Sequence, residues 1–356
     1  MTNLPRKLLH WYDAHRRVLP WREDPTPYHV LLSELMLQQT RVDTVIPYFE
    51  RFTTRWPTIE DFAGATEDEV LSEWAGLGYY SRARNLLKAA QQAVSQGGLT
   101  GDPEALRALP GIGPYTAGAV ASIAFGTCTP IVDGNVERVL CRLDKIEEDP
   151  RKTAAKRALW ARAGELVPEE RAGDFNQALM ELGAMVCTPR SPSCEQCPWH
   201  DDCQARAAGC QAELPKKTPK KKPVPVRGVS GILRLDGGIL VAQRPRDGLL
   251  GGLWEPPSKR ITDEVDPAAA IVDTFRDRVG LHVEVKARLG EVVHVFTHRR
   301  LTRTVFEVQP IGAQEPRAIE GYDAVDVLRE SSTLALSKLA IKTLALGEAP
   351  PLLKGL

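Results

Sequence analysis

The sequence predicts a multi-domain protein in which an all-α domain is followed by an α+β domain. Its 356 residues exceed the roughly 100–200 residues of a typical single domain. Apolar residues recur with the period of a helix before residue 211 and with the period of a strand after residue 228. We therefore predict a helical domain over 1–210, a linker over 211–228, a second domain over 229–345 and a C-terminal tail over 346–356.

Helices in the first half follow from apolar periodicity with Gly and Pro between the periodic segments. The clearest patterns lie at Tyr28–Thr40, Glu67–Leu77, Arg82–Ser95 and Ala154–Leu166.

Strands in the second half follow from alternating patterns and from one turn. The Asp236-Gly237-Gly238 turn between Val229–Leu235 and Ile239–Gln243 indicates a β-hairpin. We expect a helix at Pro267–Val279. Further strands are expected at His282–Arg288, Val292–Phe296 and Leu301–Val308.

The charge of the chain is balanced in total but uneven in distribution. There are 46 Lys+Arg and 46 Asp+Glu, which argues against a protein that coats nucleic acid through bulk positive charge. Residues 1–210 carry 23 basic and 28 acidic side chains (−5), residues 211–228 carry 6 and 1 (+5), and residues 229–356 carry 17 and 17. A site-specific nucleic-acid binder therefore stays compatible with the composition.

The positively charged segment lies between the two patterns. Glu213–Arg227 holds five lysines and four prolines without apolar periodicity, so it cannot form a core. Two interpretations are open: a strap across DNA phosphates, or a solvated spacer between domains.

The sequence gives no indication of a membrane or secreted protein. It contains no run of about 20 apolar residues, which excludes a membrane-spanning helix. No apolar segment follows Arg6 and Lys7, so we expect no signal peptide. We expect a cytoplasmic monomer, associated with the nucleoid in a prokaryote.

Four of the seven cysteines, Cys187, Cys194, Cys197 and Cys203, have the spacing C-x6-C-x2-C-x5-C. A disulfide framework is not expected without a secretion signal. Four thiolates within 17 residues can surround one metal centre, and the spacing alone leaves zinc and an iron–sulfur cluster open. Buried or incidental thiols are expected at Cys128, Cys141 and Cys210.

This spacing resembles the iron–sulfur loop of the endonuclease III superfamily of DNA glycosylases. The resemblance implies a 4Fe–4S cluster on the four cysteines, as a structural and DNA-positioning element rather than the catalytic centre. Arg190, within the loop, is expected to contact a phosphate.

The segment Leu109–Gly118 reads LPGIGPYTAG. Gly111 and Gly113, before a helix of small residues, let backbone N–H groups approach an anion at a helix N-terminus, although an ordinary helix-entry turn also uses such residues. The segment resembles the helix-hairpin-helix of the same superfamily. That motif grips a DNA phosphate without reading sequence.

Asp133 lies between a short apolar run and a helical pattern. By residue type alone it is a helix N-cap. In the superfamily an Asp at this place lies beside the sugar of the extruded nucleotide. The resemblance implies that it stabilises the oxocarbenium-like charge that develops when an N-glycosidic bond breaks.

Glu34 lies on an apolar face of its predicted helix. Desolvation there raises a carboxyl pKa and favours the protonated acid, whereas a boundary Glu would reach solvent. A proton donor is what a departing adenine requires. The segment SELMLQQT, at 33–40, resembles the catalytic segment of MutY-type adenine DNA glycosylases, in which this Glu is the general acid.

The same resemblance implies further roles. Tyr115 stands where bifunctional relatives carry a Schiff-base lysine, which argues for a monofunctional glycosylase. Tyr115 and Asn135 are expected beside the catalytic pair. The adenine pocket is expected from Arg22, Leu37 and Gln177, and the groups that wedge into the base stack from Gln39 and Tyr79.

Residues 229–345, with the run GLLGGLWEPP at Gly248–Pro257, resemble a Nudix-like domain. Nudix hydrolases hold magnesium on an RExxEExG helix, but Asp273–Gly280 reads DTFRDRVG and lacks the paired glutamates. Recognition is therefore expected in place of hydrolysis. Phe296, Thr297 and His298, followed by Arg299 and Arg300, are expected to bind 8-oxoguanine, with an ordinary strand end as the alternative.

These features predict an enzyme that flips adenine from A:8-oxoguanine and A:G mispairs in double-stranded DNA and hydrolyses its glycosidic bond. Glu34 would protonate the base and Asp133 would stabilise the sugar cation. Water completes the reaction, directly or after a transient covalent or ion-pair stage at Asp133 assisted by Tyr115. The alternatives are a bifunctional glycosylase/lyase for oxidised pyrimidines, disfavoured by Tyr115, and a non-catalytic mismatch binder, disfavoured by Glu34.

Overall fold

The computed structural model describes residues 3–219 and 222–347, and the chain divides into two compact units. The first unit comprises Met1–Ala65 and Arg84–Pro219, and the second comprises Thr66–Ala83 and Lys220–Leu356. The boundary between the two units, after residue 219, falls inside the linker predicted over 211–228. Residues 66–83, which the sequence pattern places in the helical domain, group with the second unit. Of the tail predicted over 346–356, only Leu346 and Gly347 are described.

Helices account for the regular structure before residue 210, apart from one 3₁₀ turn at Cys194–Gln196. They are α1 (Leu4–His15), α2 (Pro20–Glu23), α3 (Pro27–Leu37), α4 (Val42–Arg55), α5 (Ile59–Ala63), α6 (Glu67–Glu73), α7 (Ser81–Ser95), α8 (Pro103–Arg107), α9 (Pro114–Phe125), α10 (Gly134–Leu143), α11 (Thr153–Leu166), α12 (Ala172–Met185) and α13 (Gln204–Ala207). None of the helices within 3–219 and 222–347 is long and apolar enough to cross a membrane.

Two predicted helices end earlier than their apolar patterns suggest. Helix α3 begins after the Thr26 N-cap and stops at Leu37, because Gln39 adopts a left-handed φ of 58°. Helix α6 begins with a capping box between Thr66 and Glu69 and stops at Glu73, ahead of Gly76 with a φ of 99°. A left-handed residue cannot continue a right-handed helix.

One apolar cluster of the first unit joins α1, α10, α11 and α12. Trp199, from the loop after α12, is fully buried in it, and its indole N–H donates to the Leu4 carbonyl oxygen at 2.9 Å. The cysteine-rich loop is therefore fixed to the first helix of the chain, and Cys187 and Cys197 pack against the same cluster.

The second unit contains α6 and, after the linker, a mixed sheet with two further helices. The strands are β1 (Val224–Leu235), β2 (Gly238–Gln243), β3 (Trp254–Glu255), β4 (Ser258–Ile261), β5 (Val283–Val295), β6 (Arg299–Pro310) and β7 (Ala324–Leu328), and the helices are α14 (Pro267–Val279) and α15 (Lys338–Ala345). The sheet order is β3-β2-β1-β6-β5, with β4 also on β1 and β7 also on β2. The long β1–β6 pair is parallel and the remaining pairs are antiparallel. Helix α14 packs against one apolar cluster and α15 against another.

The strands differ from the predicted ones in three respects. The two strands predicted at His282–Arg288 and Val292–Phe296 are one strand, β5, interrupted by irregular register near Ala287 and Gly290. A β-bulge of this kind breaks the alternation of side chains between the two faces of the sheet, so the sequence of one continuous strand has the pattern of two separate strands. Strand β1 begins five residues before the predicted Val229 because Val224–Arg227 pair with β6, and β3, β4 and β7 were not predicted.

The first part of the predicted linker lies against the first unit. Lys216 pairs with Glu147 at 3.3 Å and Lys217 pairs with Glu137 at 2.7 Å. The Thr218 hydroxyl donates to Asp149 at 2.8 Å. These two lysines therefore have carboxylate partners in the first unit. The next two lysines of the predicted strap, 220 and 221, lie outside the described residues.

Candidate active site

One cavity of the first unit collects most of the residues that the sequence singled out. Its volume is about 640 Å³, and side chains from α2, α3, α9, α10 and α12 line it. The predicted residues that line it are Arg22, Glu34, Leu37, Gln39, Gly111, Gly113, Tyr115, Asp133, Asn135 and Gln177.

Glu34 is the deeply buried carboxyl of this cavity. Its neighbours along α3, from Val30 to Met36, are buried as well, and Glu34 itself is only 6% exposed. Burial raises the pKa of Glu34 to about 7, the nearby charge of Asp133 adds to the increase, and a hydrogen bond from Tyr115 opposes it. Glu34 is thus an acid that titrates near neutral pH, as its apolar surroundings predict.

Tyr115 is the direct partner of Glu34. Gly113 is the N-cap of α9, which places Tyr115 in the first turn of the helix. The Tyr115 hydroxyl donates to the Glu34 carboxylate and lies 3.1 Å from the Met180 sulfur. Burial and the charge of Glu34 hold the pKa of Tyr115 well above its ordinary value. The phenol therefore stays protonated and orients the Glu34 carboxyl group.

Asp133 is both a helix cap and a wall of the cavity. Its Oδ1 accepts from the backbone N–H of Asn135 at 2.9 Å and of Val136 at 2.7 Å, and the Asn135 amide donates to Oδ2 at 2.9 Å. Burial raises the pKa of Asp133 above its ordinary value, against these hydrogen bonds. The capping interpretation and the catalytic one are therefore compatible, because the cap itself fixes the carboxylate at the cavity wall.

Arg138 connects Asp133 to the cysteine loop. Its Nη2 donates to Asn135 Oδ1 at 3.0 Å and to the Gly183 carbonyl oxygen at 2.7 Å, and its Nε donates to the Cys187 carbonyl oxygen at 2.7 Å. Asn135 in turn holds Asp133. The backbone of the first loop cysteine is thus linked to the cavity carboxylate through two side chains, neither of which the sequence assigned to this role.

Replacement of Arg138 by Gln should lower the free energy of unfolding by about 2 kcal/mol, because four backbone or amide acceptors lose a charge-assisted donor. Thermal melting of the variant measures this. Arg157→Gln, at an exposed position of α11, is the matched control. Equal melting temperatures for the two variants would show that the Arg138 donors contribute nothing to stability.

A buried ion-pair group supports the wall formed by Arg22 and Gln177. Arg22 Nε donates to Gln177 Oε1 at 3.1 Å, which fixes the orientation of the amide. Arg22 and Arg17 both pair with Glu181, at 3.1 Å and 2.7 Å. Burial alone would raise the pKa of Glu181, but hydrogen bonds from the two arginines lower it to about 2. The sequence analysis missed Arg17 and Glu181, although Gln177 and Glu181 are four residues apart on α12 and so share a helix face.

Gln39 and Tyr79 share an unusual backbone conformation. Both are exposed residues with left-handed φ values, 58° and 49°, which non-glycine residues rarely adopt. Gln39 lines the cavity. Tyr79 is 48% exposed and lies in the second unit. The structure therefore places the two residues predicted to wedge into the base stack in different units.

The hairpin between α8 and α9 requires glycine at one position. Gly111 has a φ of 74°, and a Cβ there would lie 2.5 Å from the Asn85 side chain. Gly111 and Gly113 both line the cavity. The start of α9 therefore forms part of the cavity wall.

The four loop cysteines interact electrostatically with one another around Arg142. Arg142 is 2% exposed, and its guanidinium donates to the Cys187 sulfur at 3.3 Å and to the Thr188 carbonyl oxygen at 2.7 Å. A buried cation fits an anionic centre on the four thiolates. Over the described part of the chain, no three His, Cys, Asp or Glu side chains converge closely enough for a single metal ion. Arg190 is exposed on this loop.

Phe296, Thr297 and His298 form the turn between β5 and β6 in the second unit. Thr297 and His298 are exposed, and the ring of half-buried Phe296 lies 4.6 Å from the ring of His294. On α14, Asp273 and Asp277 pair with Arg276 at 2.7 Å and 2.9 Å. The two aspartates of this helix are therefore both paired with the same arginine.

Three family descriptions cover most of the chain. Residues 32–164 match the HhH-GPD superfamily of base excision DNA repair proteins. Residues 187–203 match the iron-sulfur binding domain of endonuclease III, and residues 228–346 match the NUDIX domain. The second and third matches coincide with the cysteine loop and with the sheet of the second unit.

Individual proteins resemble the chain over both units. The adenine DNA glycosylase of Homo sapiens is 40% identical over 86% of this chain and 67% of the human protein. That of Schizosaccharomyces pombe is 35% identical over 84% of this chain and 80% of its own length. The solved structure of a thermostable thymine-DNA glycosylase is 29% identical with a TM-score of 0.52, over 58% of this chain and 95% of that one.

Proposed function

The chain belongs to the adenine DNA glycosylase family of base excision repair proteins, and we propose that it is a monofunctional enzyme that releases adenine opposite 8-oxoguanine and opposite guanine in duplex DNA. One observation carries the proposed mechanism: Glu34, with a pKa near 7, and Asp133 line the same cavity. Two carboxyl groups in one cavity with different environments are suited to separate acid and electrostatic roles.

The adenine must leave the base stack before its ring nitrogens can be protonated. Glu34 in its protonated form donates to a ring nitrogen of the flipped base, with Tyr115 holding the carboxyl group in place. Gln177, oriented by Arg22, and Leu37 form the wall that receives the base. Gln39 fills the space that the adenine vacates.

Asp133 stabilises the positive charge that forms on the sugar as the glycosidic bond breaks. Its negative charge is held in position by the cap hydrogen bonds and by Asn135, so no reorganisation is required during the reaction. Water then completes the hydrolysis. The phenol of Tyr115 cannot form a Schiff base, so the DNA strand stays uncut.

The remaining elements serve binding. Cys187, Cys194, Cys197 and Cys203 would hold the 4Fe–4S cluster of the family, which would order the cysteine loop rather than act on the base. Arg138 connects that loop to α10. The hairpin with Gly111 and Gly113, together with Arg190, contacts phosphates. In the second unit, Phe296, Thr297 and His298 bind the 8-oxoguanine.

A single-turnover assay on four duplexes tests the proposal. The duplexes pair adenine with 8-oxoguanine, guanine or thymine, and cytosine with 8-oxoguanine. Release of adenine from the first two alone is expected, with no protein–DNA adduct after borohydride treatment. Adenine release from A:T at the same rate, or a borohydride-trapped adduct, would contradict the specificity or the monofunctional chemistry, respectively.

The rate of adenine release is expected to depend on pH through Glu34. The active form is protonated, so the single-turnover rate should fall about tenfold per pH unit above the Glu34 pKa of about 7. At acidic pH the rate should fall as well, because Asp133 becomes protonated and loses its negative charge. A pH profile of the rate, with DNA binding measured in the same buffers, checks this. A rate that stays constant from pH 7 to pH 9 would rule out Glu34 as the acid.

A further inference from the structure

Tyr79, the aromatic residue predicted to wedge into the base stack, lies in the segment of the second unit between α6 and α7. Its side chain is 48% exposed, and its backbone has a φ of 49°. Residues other than glycine adopt this left-handed conformation only where their surroundings impose it. An exposed ring at such a position therefore needs other groups to fix both its backbone and its direction.

Arg82 helps to hold the backbone on both sides of Tyr79. Arg82 is 8% exposed, and its Nη2 donates to the Leu77 carbonyl oxygen at 3.3 Å and to the Gly78 carbonyl oxygen at 3.1 Å. The Gly78 oxygen also accepts from the indole N–H of Trp74 at 3.1 Å. The backbone N–H of Arg82 donates to the Tyr79 carbonyl oxygen at 2.8 Å. Both peptide groups that flank Tyr79 are therefore fixed by hydrogen bonds, and Arg82 contributes to each.

The same guanidinium group contacts two aromatic rings. Arg82 Cζ lies 5.3 Å from the ring centroid of Trp74, which is fully buried, and 5.5 Å from the ring centroid of Tyr79. Both distances are within the range of a cation–π interaction. Burial lowers the pKa of Arg82 to about 10, so the group keeps its charge at neutral pH. A charged group fixed on a buried indole thus restricts the direction of an exposed ring.

The segment that carries Tyr79 is attached to the rest of the second unit. The Tyr80 hydroxyl donates to the Leu336 carbonyl oxygen at 3.1 Å, and Ser72 Oγ donates to the Thr333 carbonyl oxygen at 2.9 Å. Tyr80 is 5% exposed, and Leu336 belongs to the apolar cluster that contains α15. The groups around Tyr79 are therefore built on a packed part of the unit.

We propose that Arg82 is a positioning residue that holds the Tyr79 ring in the conformation in which it enters the base stack. The inference rests on the proposed function, in which adenine leaves the stack, and on the wedge role predicted for Tyr79. A ring that is ordered before it meets DNA loses less rotamer entropy on insertion, which favours the flipped state. Loss of Arg82 should therefore weaken base flipping more than it weakens DNA binding.

A fluorine NMR spectrum of the full chain, with its cluster and with 3-fluorotyrosine at its tyrosines, tests the position of the ring without DNA. Tyr79→Phe identifies the Tyr79 signal by its absence. We expect Arg82→Gln to move this signal toward that of an unstructured tyrosine, because the ring loses the adjacent charge. Arg51→Gln is the matched control, because exposed Arg51 lies 4.3 Å from the ring centroid of Tyr48 on α4. It should leave the Tyr79 signal in place.

A duplex with 2-aminopurine opposite 8-oxoguanine measures base flipping, since this adenine analogue fluoresces when it leaves the stack. Arg82→Gln should lower the flipping equilibrium constant about fivefold, the scale of one lost cation–π contact, with a smaller change in duplex affinity. Tyr79→Ala should lower it at least as much. Adding Arg82→Gln to Tyr79→Ala should cause no further loss, because Arg82 acts through Tyr79.

Two outcomes would overturn the proposal alone: an unmoved Tyr79 signal in Arg82→Gln, or a further loss of flipping when Arg82→Gln is added to Tyr79→Ala. No fluorescence increase with the unsubstituted protein would instead refute base flipping, and with it the proposed function. Melting temperatures verify that the variants fold. If Arg82→Gln unfolds, Arg82→Lys, which keeps the charge but lacks the planar guanidinium group, takes its place with the same expected directions, and an unmoved Tyr79 signal in that variant would be equally decisive.

Discussion

Replacement of Glu34 by Gln is expected to reduce the single-turnover rate of adenine release by about 10³-fold, the scale of a lost general acid. Gln has nearly the same volume as Glu and can still accept a hydrogen bond from Tyr115, so the cavity keeps its shape. The amide cannot transfer a proton to the adenine at neutral pH. Binding to a duplex containing A:8-oxoguanine should therefore stay within about threefold of the unsubstituted protein.

Glu60→Gln is the matched control, because Glu60 is an exposed residue of α5 in the same unit. This variant should release adenine at the unsubstituted rate. Rapid adenine release by Glu34→Gln would remove Glu34 from the mechanism. Loss of DNA binding together with activity would instead assign Glu34 a role in the architecture of the cavity.

The second expected result for Glu34→Gln concerns how the stability of the protein depends on pH. A folded-state pKa raised from 4.5 to about 7 means that the folded protein binds a proton more tightly than the unfolded chain, so stability is lost as pH rises through this window. The loss is on the order of 3 kcal/mol above pH 7. Glu34→Gln removes this penalty, so its melting temperature should exceed that of the unsubstituted protein at pH 8, and the difference should shrink at pH 5.

The sequence predicted the first unit better than the second, for physical reasons. Glu34 was identifiable because it lies on an apolar helix face, where burial raises a carboxyl pKa, and because the segment SELMLQQT around it resembles a known catalytic segment. Strand β5 was read as two strands because its irregular register shifts the faces of the side chains. The two-residue period was the local indication for this strand, and a bulge interrupts it.

Side chains that act through other side chains were the ones missed. Glu181 is unremarkable in sequence, and its role depends on Arg17 and Arg22, more than 150 residues away along the chain. The cluster of cationic side chains around one cavity of the second unit could not be predicted either, since residues 229–356 carry 17 basic and 17 acidic side chains. Only the fold brings six of the cations to one cavity. The lysines of the predicted strap show the opposite. The sequence suggests unpaired positive charge there, but two of the lysines pair with Glu137 and Glu147 in the structure.

Replacement of Asp133 by Asn is expected to lower the rate of adenine release by about 10²- to 10³-fold, the scale of a lost electrostatic group at a developing charge. Asn is a good N-cap, so α10 should keep its start. The new amide group would face the Asn135 amide, which now donates to Asp133 Oδ2 and whose own oxygen is held by Arg138. This donor–donor contact should cost about 1 kcal/mol of stability.

Loss of the Asp133 charge should also change the pH profile of the reaction. That charge contributes to the raised pKa of Glu34, so without it the Glu34 pKa falls and the residual activity should decline at a lower pH. Asp102→Asn is the matched control, because Asp102 caps α8 through the Glu104 N–H at an exposed position. A merely structural role for Asp133 would lower the melting temperature without lowering the rate of adenine release. An unchanged rate with an unchanged profile would leave the sugar cation without its proposed counter-charge and would refute this part of the mechanism.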